Sequence, residues 1–325
     1  MPKLRGGKAA RTLAQGDDLD AAVARIVTDR QHGARWLAHA SAETMALACR
    51  QPPSARALGD VHAIAQRLAT ARPSMAAVAN TVARIWNAGS GEPASANMEA
   101  RFRRMDSEAR QLQRYWDAVD QDLIRHALPV LHGVIYTHSR SGTVEAMLKA
   151  LIAAHTEERR VVVAESRPGG EGVGLAAELI SAGWKVTLVA DAASGLYIPE
   201  VDVVLIGADS VRRDGAVVNK VGSYPLALVA REHKKPFYVI CESLKVAPAA
   251  LPLMLERLPS GPIHEGTAGA PLDTIAFDVT PASLVTHVIT ERGILTEHEI
   301  THMADAASFA YRALFDGGAI PAEEG

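Results

Sequence analysis

The stretch Val201 to Ser243 holds the residues of this chain best suited to chemistry: VDVVLIGADSVRRDGAVVNKVGSYPLALVAREHKKPFYVICES. A near-continuous apolar strand ends in Gly207-Ala208-Asp209, and ten residues later comes Asn219-Lys220, just ahead of a helix and another apolar strand. A buried parallel strand delivers the residues at its C-terminal end to the carboxyl edge of its sheet, where open α/β folds bind ligands. An acid at that edge, with an amide and a lysine opposite, suits a small anionic substrate on which protons must move. A phosphorylated metabolite fits that description. A second candidate is Thr137-His138-Ser139-Arg140-Ser141-Gly142, which leaves the strand GVIY and opens the helix TVEAMLKAL. Hydroxyls and N–H groups at a helix N-terminus can hold an anion, and Ser141 can equally be an ordinary N-cap.

Two other motifs resemble chemistry and are weaker. His298-Glu299-Ile300-Thr301-His302 has the H-E-x-x-H zinc spacing. Only Asp316, Glu323 and Glu324 come after it late enough to be a third ligand, and the helix comes last, after an expected strand-helix unit at 274–293. A solvated helical start is the expectation there. Gly172-Val173-Gly174-Leu175-Ala176-Ala177 matches G-x-G-x-x-A, with Asp191 nineteen residues beyond the first glycine. In a dinucleotide fingerprint the glycine turns directly out of the strand, whereas Ser166 to Glu171 intervene here, and another strand-helix pair precedes this one. No organic cofactor and no metal is expected.

The elements that must position these residues fall into two textures. The first 130 residues read as helical: Asp17 to Arg30, Ala34 to Arg50 (stopped by Pro52-Pro53), Ala55 to Ala71, Pro73 to Trp86, a loop at Gly89 to Pro93, then one long helix from Ala94 to Ala127. The arginine run Arg101, Arg103, Arg104, Arg110 and Arg114 is interleaved with Glu99, Asp106 and Glu108, the pattern of a solvated helix face. After Pro129, strands are predicted at 133–137, 160–165, 185–190, 202–206, 236–242 and 274–279, with a helix after most of them. That alternation implies right-handed crossovers and a parallel sheet. The fold class is α/β, with an all-helical domain over 1–130 followed by a Rossmann-like domain with a mainly parallel sheet over 131–325. Val246 to Pro271, rich in Pro and Gly, is a long loop.

At 325 residues the chain can bury a sizeable core. A net charge of -3 and a pI near 6.5 argue against a nucleic-acid partner held by a basic field. No apolar run of about 18 residues is present, and the first residues lack an apolar signal core. Two cysteines form no C-x-x-C and no disulfide framework. A cytoplasmic protein with no membrane partner is expected.

Seven segments together carry a resemblance: ARPSMAAV, IYTHSRSGTVEAMLKAL, AESRPGGEG, VTLVADAASG, VLIGADSVRRDGAVVNKVGSYPLALVA, PFYV and FDVTPASLVTHVITERG. In this order they resemble the superfamily of methylthioribose-1-phosphate isomerase, ribose-1,5-bisphosphate isomerase and the alpha, beta and delta subunits of eukaryotic translation initiation factor 2B. The resemblance covers about residues 70 to 293. It implies a homodimer or higher homo-oligomer and a sugar-phosphate site between a helical and a Rossmann-like domain. It also implies that Arg72 and Arg167 hold phosphate or sugar oxygens, a task that suits the planar guanidinium. Asp209 matches the catalytic aspartate, and Asn219 and Lys220 the substrate-contacting pair.

Two departures stand out. The isomerases carry Thr-His-Cys where this chain has Ser139, and a serine hydroxyl needs a partner base to exchange protons near neutrality. The isomerases' Arg-Gly-Ala is best matched by His32-Gly33-Ala34, or by Arg5-Gly6-Gly7 lying too early. Cys241 sits in a buried row of its strand and reads as an inert core residue. The expected function is an aldose-ketose isomerase acting on a pentose 1-phosphate or 1,5-bisphosphate, with Asp209 moving protons and Ser139 as a hydrogen-bonding group. The alternative is a catalytically silent regulatory protein that binds a sugar phosphate or nucleotide.

Overall fold

The structure is a computed structural model that describes residues 18–90, 97–154, 159–257 and 274–316. Six helices come first: α1 (Leu19–Thr28), α2 (Ala34–Ala48), α3 (Ala55–Ala71), α4 (Ala76–Ser90), α5 (Met98–Ala118) and α6 (Asp120–Ala127). Asp18, Ser54 and Asn97 cap α1, α3 and α5 through their side chains. The expected single helix over 94–127 is therefore two, parted at Val119. Its apolar stripe runs on without a phase change through Trp116, Val119, Leu123 and Ala127, but the layer it meets changes. Phe102, Met105, Leu112 and Trp116 pack in the helical core, whereas Val119, Leu123 and Ala127 pack under the sheet. The acidic residues of the arginine-rich run are partly used in surface pairs, Arg110 with Asp106 and Arg84 with Glu108.

The chain then alternates: β1 (Ile135–Thr137), α7 (Gly142–Ala153), β2 (Arg160–Ala164), α8 (Glu171–Ser181), β3 (Lys185–Val189), α9 (Ser194–Tyr197), β4 (Val203–Ile206), β5 (Ser210–Val211), β6 (Val217–Lys220), α10 (Ser223–Glu232), β7 (Phe237–Ile240), β8 (Phe277–Thr280), β9 (His287–Thr290), β10 (Gly293–Leu295) and α11 (Glu297–Phe315). The main sheet has seven strands in the order β10-β9-β7-β4-β1-β2-β3, parallel except for β10. The five expected strands from 133–137 to 236–242 are all in it. Alternate residues feed two cores: Tyr136, Val162, Val204 and Phe237 on one face, Ile135, Val161, Val203 and Ile240 on the other.

The expected strand-helix unit at 274–293 is instead three strands. β8 leaves the main sheet to pair antiparallel with β6, which with β5 makes a separate three-stranded sheet. β9 then lies parallel beside β7, and β10 turns back on it. The run LVTHVIT is β-branched enough to favour strand over helix. Most of the expected loop at 246–271 lies outside the described residues. α11 crosses between cores: Ile300 and Ala304 pack on the Tyr136 face of the sheet, opposite α6, while Tyr311 and Leu314 join the helical core. His62 and Gln66 on α3 meet the Leu314 carbonyl at 2.6 and 3.2 Å.

Candidate active site

From β1 the chain runs out to β2 and β3 on one side, then returns to β4 on the other. Such a switch point opens a crevice at the carboxyl ends of the two central strands. Thr137-His138-Ser139 leaves β1 there and Gly207-Ala208-Asp209 leaves β4.

The turn after β1 is held by side chains. Ser139 has a φ of 64°, in the left-handed region, and its N–H donates to the Ser166 hydroxyl at 2.7 Å. Holding a non-glycine residue in this region costs of order 1–3 kcal/mol and needs such support. Ser166 is itself left-handed at 66°, and Asp191 accepts from the N–H groups of Ser166 and Arg167 at 2.8 and 2.6 Å. His138 places Nε2 2.9 Å from the Val221 carbonyl, which can only accept, so Nε2 carries the proton. Burial pushes the imidazole pKa down, which keeps it neutral with Nδ1 facing the Ser166 hydroxyl at 3.4 Å. Gly222, at φ 105°, is needed here: a Cβ would lie 3.0 Å from the His138 ring. Ser141 accepts from Val144 N–H at 3.4 Å and so is the N-cap of α7.

Asp209 is anchored by its N–H to the Val218 carbonyl at 2.9 Å, which ties the end of β4 to β6. Its side chain is half-buried. Burial raises its pKa above the usual carboxylate range, against the pull of Lys245, Lys220 and Arg72. A cavity of about 590 Å³ opens beside it, walled by Arg35, Trp36, His39 and Trp116 from the N-terminal helices, by Asn219 of β6, by Thr143 at the start of α7 and by Lys245 past the end of β7. A smaller adjoining cavity of about 110 Å³ is lined by Arg72, Lys220, Glu171 and Glu256. His32, Gly33, Ser139, Arg140 and Asp209 line both.

Five of the six residues singled out from the sequence thus meet around one crevice. Ser139 and Asp209 line both cavities, Asn219 the larger, Arg72 and Lys220 the smaller. Arg72 pairs with Glu256 at 2.7 Å and donates to the Asp29 carbonyl, and Lys220 pairs with Glu171 at 2.5 Å. Asn219 donates to the Ser223 hydroxyl. Arg167 lies outside both linings; its guanidinium is exposed and 3.4 Å from Glu165. Sequence reading passed over Lys245 and Arg35. Lys245 comes after the carboxyl end of β7, the same position rule that marks Asp209. Arg35 comes directly after the His32-Gly33-Ala34 match on α2, and His32 itself stacks on Trp36 at 3.8 Å. Arg5-Gly6-Gly7 lies outside the described residues.

The competing motifs have structural uses. Gly172 lets α8 meet β2, since a Cβ there would sit 1.8 Å from the Ala164 carbonyl oxygen, and Asp191 serves the 166–167 turn. Glu299 completes a capping box with Thr296, and His298 and His302 are exposed. Among the described residues no group of three or more His, Cys, Asp or Glu is placed to hold a metal ion. Cys241 is fully buried and its thiol pKa is pushed up to about 12, so it cannot stand in for a thiol at position 139.

Residues 30–297 match the model of the initiation factor 2 subunit family. The chain belongs to that family. A Pyrococcus abyssi family protein named as eIF-2B subunit 2-like is 30% identical over 270 residues, covering 82% of this chain and 92% of its own. A ribose 1,5-bisphosphate isomerase of Archaeoglobus fulgidus is 28% identical over 284 residues, covering 84% of this chain and 88% of the isomerase. The crystal structure of the Pyrococcus horikoshii translation initiation factor eIF-2B superposes with a TM-score of 0.73 at 28% identity, over 85% of this chain and 96% of that one. Family relatives therefore include sugar-phosphate isomerases as well as initiation-factor-like proteins. Every residue lining the two cavities lies inside the matched segment.

Proposed function

We propose that this protein is a sugar-phosphate isomerase that converts a pentose 1-phosphate or 1,5-bisphosphate from aldose to ketose. The observation that carries this reading is Asp209: a half-buried acid at the switch point, with its pKa raised and Lys245, Lys220 and Arg72 around it. A carboxyl that keeps its proton in a cationic crevice can protonate the ring oxygen of a bound sugar phosphate while the cations hold phosphate. Ring opening breaks the bond between C1 and the ring oxygen, which keeps the proton as a hydroxyl, and leaves the phosphate on C1. The hydrogen on C2 then passes to C1, and the Asp209 carboxylate takes the proton from the C2 hydroxyl as the ketone forms, so the enzyme ends as it began. Self-association into a homodimer belongs to the same reading.

A second reading, a regulatory protein that binds such a ligand without turning it over, is favoured by Ser139. His138 faces Val221 and Ser166 with its two nitrogens, so that imidazole is not a base for the Ser139 hydroxyl. One substitution separates the readings. Ser139→Cys restores a group that exchanges protons near neutrality, at the entry to α7, where a helix N-terminus favours thiolate. Assayed with ribose 1,5-bisphosphate and methylthioribose 1-phosphate, it is expected to isomerise at least about tenfold faster than wild type, or roughly 1.4 kcal/mol of barrier. Tight binding in both forms with no gain in rate favours the regulatory protein. Fast turnover by wild type would mean that serine at 139 is no handicap.

A further inference from the structure

Glu242 lies two residues past the end of β7, is fully buried, and touches no described cavity, yet side chains from three segments converge on it. The Thr143 hydroxyl, in the first turn of α7, donates to Oε1 at 2.8 Å. Arg35 Nε on α2 lies 3.6 Å from the same oxygen, while the rest of that guanidinium donates to Asp120 at 2.6 Å and to the Trp116 carbonyl at 2.7 Å. Lys245 Nζ lies 3.0 Å from Oε2. Lys245 is itself buried, but it lines the larger cavity together with Asp209. A buried carboxylate persists only when it is paired and hydrogen-bonded, and a single buried ammonium is no cheaper.

We propose that Glu242 is a positioning residue for the crevice: anchored by Thr143 and Arg35, it fixes the Lys245 ammonium beside Asp209 and keeps it charged for an anionic ligand. This rests on the sugar-phosphate reading of the same site. The electrostatics agree with it. Burial alone would push the Glu242 carboxyl up and the Lys245 ammonium down; Lys245, Arg35 and a backbone N–H together outweigh it at the first, and Glu242, the largest of the opposing causes, does so at the second together with Cys241 and Asp209. Tyr115 on α5 and Cys241, just past β7, also face Glu242 and stay neutral because burial raises them; Glu291, which accepts from Ser243, adds a second carboxylate beside both. Asp209 in turn faces Lys245, Lys220, Arg72 and Glu256, and Lys245 has the largest effect of the four. Without Glu242, a lysine in that place is free to shed its proton, as buried lysines do.

The test is a double-mutant cycle read by binding and not by turnover. Wild type, Glu242→Gln, Lys245→Met and the double variant are titrated calorimetrically with inorganic phosphate and with ribose 1,5-bisphosphate. The Lys245 Cε shift is followed against pH in 13C-lysine-labelled wild type and Glu242→Gln. Each single variant is expected to bind at least about tenfold more weakly, the double variant no more weakly than Lys245→Met, and Lys245 to titrate at lower pH in Glu242→Gln. Losses that add in the double variant, or an unmoved Lys245 titration, overturn the proposal. Should Glu242→Gln fail to fold, the double variant replaces the pair with a neutral one, a change that is often tolerated. Lys245→Met binding phosphate as wild type does would then be decisive against the proposal. Failure of wild type to bind either probe would overturn the sugar-phosphate reading as well, whereas binding with additive losses would leave that reading standing.

Discussion

Asp209 is asked to do two opposite things, to keep a proton and to give it up, and its surroundings are balanced accordingly. Burial raises its pKa while Lys245, Lys220 and Arg72 pull it back. If the protonated form acts as the general acid, turnover is full at low pH and falls as pH rises through the raised value. A rate that climbs with pH over that range would reverse the assigned protonation state. Asp209→Asn keeps the shape but cannot exchange a proton, so turnover should drop at least about a hundredfold. The rise in Tm caused by bound ribose 1,5-bisphosphate should survive the substitution, since the cations remain. Ser139 was visible in the sequence as a departure; that its turn is built on left-handed Ser139 and Ser166, with His138 facing away from it, was not.

At the scale of elements, the small sheet sets the crevice. β6 pairs with β8 so that Asn219 stands opposite Asp278 and Lys220 opposite Phe277. Asp278 then accepts from Gly222 and Tyr224 N–H at 2.8 and 3.1 Å, capping α10, while burial raises its pKa to about 6. Because the folded value lies above the unfolded one, the native state holds this proton more tightly. The effect on stability is therefore absent below pH about 4, grows as pH rises toward 6, and above that is a constant loss of at most about 3 kcal/mol. Asp278→Asn removes this term, and the difference in urea unfolding energy between variant and wild type should change between pH 4 and 7 in the variant's favour. A difference that is flat over that window would show that the N–H donors cancel the burial. On the far side, Gly172→Ala brings a Cβ to within 1.8 Å of the Ala164 carbonyl oxygen, so α8 must move off β2. A loss of about 2–3 kcal/mol in the same unfolding measurement is expected, with overpacking as the cause.

Across the whole molecule, α11 binds the two textures of the chain into one. Its first half packs on the Tyr136 face of the sheet and its second half against α3 and α4, where Asn87 donates to the Ala310 carbonyl at 2.8 Å. Leu314, fully buried, sits at the far end of that contact. Leu314→Ala should cost about 2–5 kcal/mol. If α11 couples the two cores, wild type should unfold in a single calorimetric transition. Two well-separated transitions in wild type would show that the helical and sheet halves stand alone. No helix among the described residues is long and apolar enough to cross a membrane.

The sequence by itself determined the five strands from β1 to β7 that alternate with helices in the main sheet and the helical texture of the first 130 residues, because period and composition are local properties. It also determined the chemistry at strand ends: Asp209, Asn219-Lys220 and Ser139 could each be named from their places at or just past the end of an apolar run. Only the tertiary structure decided who meets whom. The stripe through Trp116 and Leu123 has one period and two partners, so nothing local marks the break at Val119. The β-branched run LVTHVIT favours a strand, but that its strand β9 pairs with β7 in the main sheet, while β8 before it pairs with β6, is set by the tertiary structure. Arg167 carries a family motif yet turns to Glu165 outside the cavities, while Arg35 and Lys245, about two hundred residues apart, converge on Glu242. Such pairings depend on how the chain closes over long separations, and the entropy of that closure leaves no trace in the residues on either side.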